Sequence, residues 1–377
     1  MKADILIQNG RVIDPYDGTD EIRSVAMAGG VLIDPAGVTD AEQIVDASGC
    51  IVTPGLIDLH AHVASAVSEI AVHPEAACFP TGVTTAVDPG TTGIANYPAF
   101  RAQSAACGVH LRALLHCSVG GISTIRTHED HDPAHFDEAG MLRCLRENKD
   151  RLFGVKVRVS RDVVGAHGLE PLLRAREIAE KAGVLLGCHV TGAPVLADEL
   201  ASYFRPGDLF IHAFHGTGHT ILGENGHVLP GVWDAKRRGV LFDVSCGRTH
   251  FCFSTARRAL AEGFLPDIIG TDLIRASAWR HGKCFSLPYQ MSKYLALGMT
   301  LPQVVACVTT NPARAMGEER ELGSLQPGTA ADVAVHLPLR REERFIDAAE
   351  ESLTGQTLLK TQMTVRAGEV VYRQIDF

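Results

Sequence analysis

His60 and His62 stand two residues apart at the end of the short apolar stretch "GLIDLHAH". Side chains at positions i and i+2 of a β-strand project from the same face, so both imidazoles would leave one strand end in the same direction. Imidazole is a common ligand of divalent metals. The spacing is therefore compatible with a metal site, although two ordinary histidines on a polar strand face would give the same pattern.

Four further polar residues interrupt or end apolar runs that are typical of strands. Lys156 lies inside "FGVKVRV", His189 ends "VLLGCH", His212 ends "DLFIH", and Asp272 ends "DIIGTD". Parallel strands that are buried on both faces are normally apolar, so each of these residues is unusual for its position. The carboxyl ends of the strands meet at one mouth in a parallel barrel. Six side chains would then converge there as candidate metal ligands: His60, His62, Lys156, His189, His212 and Asp272.

Lys156 is the most unusual member of this set. A buried, unpaired ammonium costs several kcal/mol, and it has no lone pair with which to bind a metal. A deprotonated lysine can instead react with carbon dioxide and form a carbamate, which is anionic and has two oxygens that can bridge two cations. We therefore predict that Lys156 is carboxylated. An ion pair or a side chain that reaches out to solvent is the alternative explanation.

The middle of the chain alternates apolar runs with helix-like stretches. In "LEPLLRAREIAEKAG", for example, Leu169, Leu172 and Leu173 predict an apolar helix face, and Gly183 predicts the helix end. Alternation of this kind over about 270 residues predicts an α/β fold, a (β/α)₈ TIM barrel. A doubly wound open sheet is the alternative. The common glycine-rich phosphate motifs are missing after the first strand, which weakens a nucleotide-binding version of that sheet.

The two ends of the chain differ from the middle in their pattern of apolar and polar residues. Both contain hairpin-like alternation, in "DILIQNGRVID" near the start and "LLKTQMTVRAGEVVYR" near the end. We predict that residues 1–53 and 321–377 pair into one small β-sandwich domain. Residues 54–320 would then form the barrel as an inserted domain.

The amino-acid composition of the chain limits the kinds of partner and the cellular compartment that we expect. The 377 residues carry a formal net charge of −9, which disfavours nucleic acid or a membrane surface as a partner. The start of the chain has no hydrophobic signal region, and no apolar run reaches the roughly 18 residues that span a bilayer. None of the ten cysteines forms a C-x-x-C pair. These features predict a cytoplasmic protein with reduced, mostly buried cysteines.

Taken together, these motifs resemble the amidohydrolase superfamily, in its binuclear branch with a carboxylated lysine. The resemblance rests on "GLIDLHAH", "GVKVRVS", "GCHVTG", "FIHAFHG", "IIGTDL" and the later segment "NPARAMGEERELGSLQPGTAADVAV", and it covers nearly the whole chain. It implies two divalent metal ions, with zinc as the best candidate. One ion would be held by His60, His62 and Asp272, the other by His189 and His212, and both by carboxylated Lys156.

The resemblance also implies a mechanism. Two cations would lower the pKa of a bridging water, so that a bridging hydroxide is available at neutral pH. One ion would polarise the substrate carbonyl and stabilise the oxyanion. Asp272 would take the hydroxide proton and deliver it to the leaving group, as the catalytic acid and base.

The substrate prediction depends on one position at which this chain differs from dihydroorotases, a related group of enzymes. Dihydroorotases usually carry an arginine two residues after the His-x-His pair, where this chain has Ala64. The closer resemblance is to deacetylase-like amidohydrolases, which implies cleavage of an N-acyl or O-acyl group on a small carboxylate-bearing molecule. We predict that Arg275 binds the substrate carboxylate and that His215 lies near the substrate. Other candidate cations are Arg158, Arg161 and Arg248.

Three alternatives remain open. The first is a cyclic amidase of the dihydroorotase or hydantoinase kind. The second is a mononuclear deaminase, which Lys156 opposes because such enzymes generally lack the bridging lysine. The third is a metal-free scaffold subunit, which the complete ligand set does not favour. We also expect a homo-oligomer, and a solvated loop around His128, His131 and His135, after the third barrel strand, that could act as a lid.

Overall fold

Strands and helices alternate through the middle of the chain, and strands alone occupy its ends. The computed structural model describes residues 1–125 and 129–377. The strands are β1 (Lys2–Asp14), β2 (Thr19–Ala28), β3 (Val31–Ile33), β4 (Asp40–Asp46), β5 (Ile51–Pro54), β6 (Leu56–Asp58), β7 (Val83–Asp88), β8 (His110–His116), β9 (Leu152–Arg158), β10 (Leu185–His189), β11 (Leu209–Ile211), β12 (Leu241–Asp243), β13 (Val333–Ile346), β14 (Ser352–Arg366) and β15 (Glu369–Arg373).

The α-helices of the described residues lie mostly between the strands of the middle region. They are α1 (Pro74–Cys78), α2 (Tyr97–Ala106), α3 (Glu138–Glu147), α4 (Arg161–Val164), α5 (Glu170–Ala182), α6 (Ala197–Ala201), α7 (Pro230–Arg238), α8 (Phe253–Ala261), α9 (Leu287–Ala296), α10 (Leu301–Ala306) and α11 (Thr310–Met316). Within the described ranges, every helix is too short or too polar to cross a bilayer.

The central sheet is parallel and contains β6 to β12. Each strand pairs with the next one in the chain, and at least one α-helix lies between successive strands. A doubly wound sheet would reverse its strand order in the middle, which does not happen here. The segment 268–273 makes single parallel bridges to both edges of this sheet, from Ile268 to Asp243 and from Leu273 to Ala61. This segment therefore lies between β12 and the residues that directly follow β6.

The chain ends build a second, mixed sheet in the order β15-β14-β13-β5-β1-β2-β3, with β4 paired to β1. The prediction that the two ends pair with each other is confirmed, because β13 lies antiparallel to β5, with Val333 opposite Pro54. The prediction of a β-sandwich is wrong in one respect, because the strands form one continuous hydrogen-bonded sheet. The reason is that β5 pairs with β1 on one side and β13 on the other, so the terminal strands lie edge to edge.

The described residues contain three apolar clusters. The largest surrounds the parallel sheet, a smaller one within the mixed sheet includes Ile7, Met27 and Val365, and a third is formed largely by residues of the parallel strands. The long β13–β14 hairpin crosses from the small core to the helices around the parallel sheet. There the backbone N–H of Leu359 donates to Ser292 Oγ on α9, at 2.9 Å. The mixed sheet is therefore attached to the helices around the central sheet by buried hydrogen bonds as well as apolar contacts.

Candidate metal centre

All six predicted ligands line one cavity at the carboxyl ends of the parallel strands. The cavity has a volume of about 470 Å³, and its polar lining includes His60, His62, Lys156, His189, His212 and Asp272. The six side chains are buried or nearly so. They reach the cavity because each lies within, ends or follows a strand of the same parallel sheet, or lies in the segment 268–273. Residues separated by more than 200 positions thus share one site.

The first group of ligand atoms belongs to His60, His62 and Asp272. Asp272 Oδ1 lies 3.5 Å from His60 Nε2 and 3.2 Å from His62 Nε2. His60 Nδ1 lies 2.8 Å from Asp243 Oδ2, and His62 Nδ1 lies 2.8 Å from Thr91 Oγ1. A carboxylate only accepts hydrogen bonds, so His60 donates Nδ1–H to Asp243 and keeps the Nε2 lone pair for a cation.

The second group consists of three imidazoles, those of His189, His212 and His250, whose ring nitrogens lie within 4.8 Å of one another. His212 Nδ1 lies 2.8 Å from the carbonyl oxygen of Ser245. Because a carbonyl can only accept, His212 carries its hydrogen on Nδ1 and presents Nε2 as a lone pair. His212 and Asp272 both have positive φ angles, 71° and 51°. Such backbone strain in non-glycine residues is concentrated at functional sites.

Lys156 lies on β9 and lines the same cavity as both groups. It is 4% exposed, and burial lowers the pKa of its amine to about 8, against the opposing charges of Asp272 and Asp243. The neutral amine, which is the form that reacts with carbon dioxide, is therefore more populated at neutral pH than on a surface lysine. Gly90 makes room for this side chain, because a Cβ there would lie 2.7 Å from Lys156 Cγ.

The protonation states suit a divalent cation. Burial, together with neighbouring cationic groups, holds the pKa values of His189 and His212 well below their usual range. Burial alone would raise the pKa of Asp272, but His60 and His62 bring it well below its ordinary value. Burial and Lys156 oppose protonation of His60, but Asp243 and Asp272 raise the pKa of its imidazole, so a cation bound there would displace a proton from Nε2. With that proton displaced, imidazoles and an ionised carboxylate are the donor set that zinc and similar metals prefer. The residues present therefore fit divalent metal ions, and Lys156 lines the cavity that both groups share.

The two predicted substrate-binding residues lie elsewhere. His215 is 1% exposed and is not part of the cavity lining; its Nδ1 accepts the backbone N–H of Thr217 at 3.2 Å. Arg275 is exposed and lines a neighbouring cavity with Ser68 and Trp279. The structure thus brings neither of them to the six candidate ligands.

Arg158, Arg248 and His250 line the mouth cavity instead. Sequence reasoning missed His250, because it follows β12 by seven residues in a loop and no apolar run marks its position. Burial lowers the pKa of His250 to about 4, opposed by Asp272. A histidine in the loop after a barrel strand was the only available signal, and many loop histidines share it.

The loop after β8 is less solvated than predicted. Glu129 and His131 are buried, His135 is exposed, and His128 lies outside the described residues. Glu129 Oε2 lies 2.6 Å from Arg158 Nη1, and its Oε1 lies 2.7 Å from His131 Nε2. His116 Nε2, on β8, lies 3.4 Å from the same carboxylate. This group therefore ties the loop to β8 and β9 beside the cavity.

This fold and this site correspond to known proteins. The Amidohydrolase family profile matches residues 76–372, and the chain belongs to this family. The deacetylase Atu3266 of Agrobacterium fabrum is 32% identical over 318 residues, which cover 82% of this chain and 75% of that protein. The crystal structure of an adenine deaminase superposes with a TM-score of 0.89 at 25% identity, covering 99% of this chain and 100% of that chain. That of a dihydroorotase superposes with a TM-score of 0.87 at 26% identity, covering 98% of both chains.

Proposed function

We propose that this protein is a binuclear metal-dependent hydrolase that removes an N-acyl or O-acyl group from a small carboxylate-bearing molecule. The observation that carries this proposal is the position of Lys156, buried in one cavity with two separate groups of metal-competent side chains. Family membership and the deacetylase relative support hydrolysis of an acyl group. The acyl group and the acid itself are the subject of the experiment below.

The residues divide between two ions. His60, His62 and Asp272 would hold the first ion, and His189 and His212 the second, while carboxylated Lys156 would help to hold both. Zinc is the metal we propose. When bound, the two ions would make hydroxide available at neutral pH and polarise the scissile carbonyl. Asp272 would accept the proton of the attacking water on its carboxylate and pass it to the departing amine or alcohol.

We assign the binding of the substrate carboxylate to Arg248 and no longer to Arg275. Arg248 lines the mouth cavity and is exposed, and no carboxylate within the described residues forms an ion pair with it. Arg158 also lines the cavity, but it is already paired with Glu129. Ile70 and Ile274 add apolar surface to the same cavity. This arrangement suits an acid whose charged end points to the loop after β12.

A hydrolysis screen tests the proposal directly. The zinc-loaded protein should cleave members of a panel of N-acetyl amino acids and O-acetyl hydroxy acids. It should contain about two metal ions per chain, and mass spectrometry of the native protein should find carbon dioxide on Lys156. Arg248→Ala should raise KM for the acids by about tenfold to a hundredfold and leave neutral acetyl esters unaffected, with Arg275→Ala as the matched control. Equal KM values in Arg248→Ala and wild type would contradict this assignment.

A second candidate is a cyclic amidase, which the likeness to a dihydroorotase structure favours. In that case the protein would open cyclic ureides or imides and leave the acetylated acids intact. One metal ion per chain, with release of ammonia from an aminopurine, would instead support a deaminase, and a protein without metal would support a scaffold role. A screen extended to cyclic ureides, imides and an aminopurine, together with metal analysis, therefore separates all four functions.

A further inference from the structure

His250 lines the cavity, yet the proposed ligand set does not use it. It lies in the loop between β12 and α8, and 21% of its side chain is exposed. The loop backbone is held in place, because His250 N donates to the carbonyl of Cys246 at 3.0 Å and Cys252 N donates to that of Phe214 at 2.8 Å. The imidazole is therefore presented to the cavity by a hydrogen-bonded loop.

The ring nitrogens of His250 have different surroundings. Nδ1 lies 3.1 Å from the hydroxyl of Thr191, which can donate to it and leave the ring hydrogen on Nε2. Nε2 lies 4.0 Å from Asp272 Oδ2, beyond hydrogen-bonding distance. A 3.4 Å contact with the exposed hydroxyl of Thr249 is long for a hydrogen bond. When Thr191 donates to Nδ1, Nε2–H is a donor at the cavity, and its contact with Thr249 is the long one.

The packing of the ring argues against a third imidazole on the second ion. His250 stacks on His212 with ring centroids 4.3 Å apart and an interplanar angle of 22°. Nearly parallel rings place their nitrogens side by side, whereas ligands of one tetrahedral ion converge on it from different directions. The edge of His189 also faces this ring, with centroids 4.8 Å apart. The ring nitrogens of His189, His212 and His250 lie within 4.8 Å of one another, so the zinc content of a His250 variant distinguishes a ligand from a stacked, non-ligating neighbour.

We infer that His250 is a catalytic residue whose Nε2–H donates a hydrogen bond to the carbonyl oxygen of the scissile acyl group. This inference rests on the proposed function. A carbonyl polarised by an ion on His189 and His212 would have its oxygen beside these two histidines, and the ring of His250 is adjacent to both. The oxygen gains negative charge as the carbonyl carbon becomes tetrahedral, so the hydrogen bond is stronger in the transition state than in the bound substrate.

Two variants of the zinc-loaded protein test this role. His250→Phe keeps a planar ring against His212 and removes both nitrogens, whereas His250→Gln restores an amide donor of similar reach. The substrate is the acetylated acid that the wild type cleaves best. The binding probe is its methylphosphonate analogue, in which tetrahedral phosphorus replaces the acetyl carbon. The control is His227→Phe, because that histidine is 69% exposed on the surface.

For His250→Phe we expect kcat to fall by about 10²- to 10³-fold with KM changed by less than about threefold. The Kd for the phosphonate should rise by a similar factor, and the zinc content should equal that of the wild type. His250→Gln should recover part of both losses, and His227→Phe should match the wild type.

Three results would overturn the assignment while leaving the proposed function intact. These are unchanged kcat and phosphonate affinity in His250→Phe, a raised KM with normal kcat, and the loss of one zinc ion, which would make His250 a ligand. If the wild type itself cleaves no member of the acid panel, the proposed function fails, and this inference fails with it.

Discussion

Fixed hydrogen bonds on Nδ1 determine how the histidines at the mouth can act. His60 is held by Asp243, His62 by the hydroxyl of Thr91, and His212 by a backbone carbonyl. In each case Nε2 is the nitrogen left to face the cavity. Such partners set the tautomer and orientation of a metal-binding imidazole, and their loss typically costs a factor of 10–100 in metal affinity. The single-residue predictions below follow from this arrangement.

Asp243→Asn should weaken the first ion selectively. The asparagine side chain keeps the size of the aspartate but removes its charge, so Nδ1–H of His60 loses a charge-assisted partner. We expect the affinity for one of two zinc ions to fall by about 10- to 100-fold, measured by competition with a chromophoric chelator. Asp162→Asn, on the exposed side of the short helix α4, is the control. Unaltered affinity for both ions would argue against the orienting role of Asp243.

Asp272→Asn should remove proton transfer while keeping an oxygen ligand. We expect kcat to fall by at least about 10²-fold, because an amide cannot accept and return the proton. The metal content should be measured in the same sample, since a partly loaded variant would lose activity for a different reason. Near-normal turnover in a fully loaded Asp272→Asn protein would exclude the proton-transfer role.

At the scale of elements, the site depends on a contact between the two sheets. The tip of the β13–β14 hairpin reaches the start of α8, where Asp347 Oδ2 accepts the N–H of Phe253 at 2.8 Å. The N–H of Ala348 donates to the carbonyl of Phe251, at 3.0 Å. The loop with Arg248 and His250 leads directly into this helix. A hairpin built by the chain end therefore supports a loop at the mouth of the cavity.

Asp347→Ala should loosen that loop. Asp347 is 2% exposed and accepts three backbone N–H groups, so its loss leaves buried donors unsatisfied. We expect the free energy of unfolding to fall by about 1–3 kcal/mol in urea titrations. KM for the acid substrate should rise, because Arg248 is less well positioned. Glu350→Ala at the same hairpin tip is the control, with a change of less than about 0.5 kcal/mol. Equal stability of the two variants would contradict the supporting role.

For the molecule as a whole, the boundary between the sheets contains a buried histidine. His336 on β13 is 1% exposed, its Nδ1 lies 3.2 Å from Thr361 Oγ1, and burial lowers its pKa to about 4. A Cβ on Gly82 would lie 2.7 Å from its Cε1, so the ring is packed tightly against the loop that precedes β7. Proton uptake at this position would introduce a charge between the barrel and the mixed sheet.

The free energy of unfolding should therefore fall as the pH decreases from about 6.5 to about 4. In this interval the unfolded chain binds a proton at residue 336 and the folded protein does not, so acid favours the unfolded state. The full contribution of His336 is about 3 kcal/mol. In His336→Gln the pH dependence should be shallower by up to one proton, measured by urea unfolding at several pH values. The exposed His227→Gln is the control, and identical slopes in wild type and His336→Gln would refute the prediction.

The sequence alone was enough to predict the parallel α/β core, the pairing of the two chain ends, and the six residues that meet at the mouth. These follow from local patterns, because hairpin-like alternation marks the chain ends, and a polar residue within or at the end of an apolar run is unusual for a buried strand whatever the rest of the chain does. Gly183 was also correctly predicted to end α5, with a φ of 66°, although Leu173 on that helix is exposed. Helix periodicity predicts a face, but the neighbouring elements decide how much of it is covered.

Only the tertiary structure decided which loop residues join the site. Arg275 and His215 follow strand ends closely in the sequence, yet one turns to a neighbouring cavity and the other into the core. Arg248 and His250 reach the mouth because backbone bonds to other loops set the path of their own loop. Asp243 orients His60 across 183 residues of chain. The local sequence determines where a strand ends and which way its side chains project. The course of a loop depends instead on contacts with distant segments.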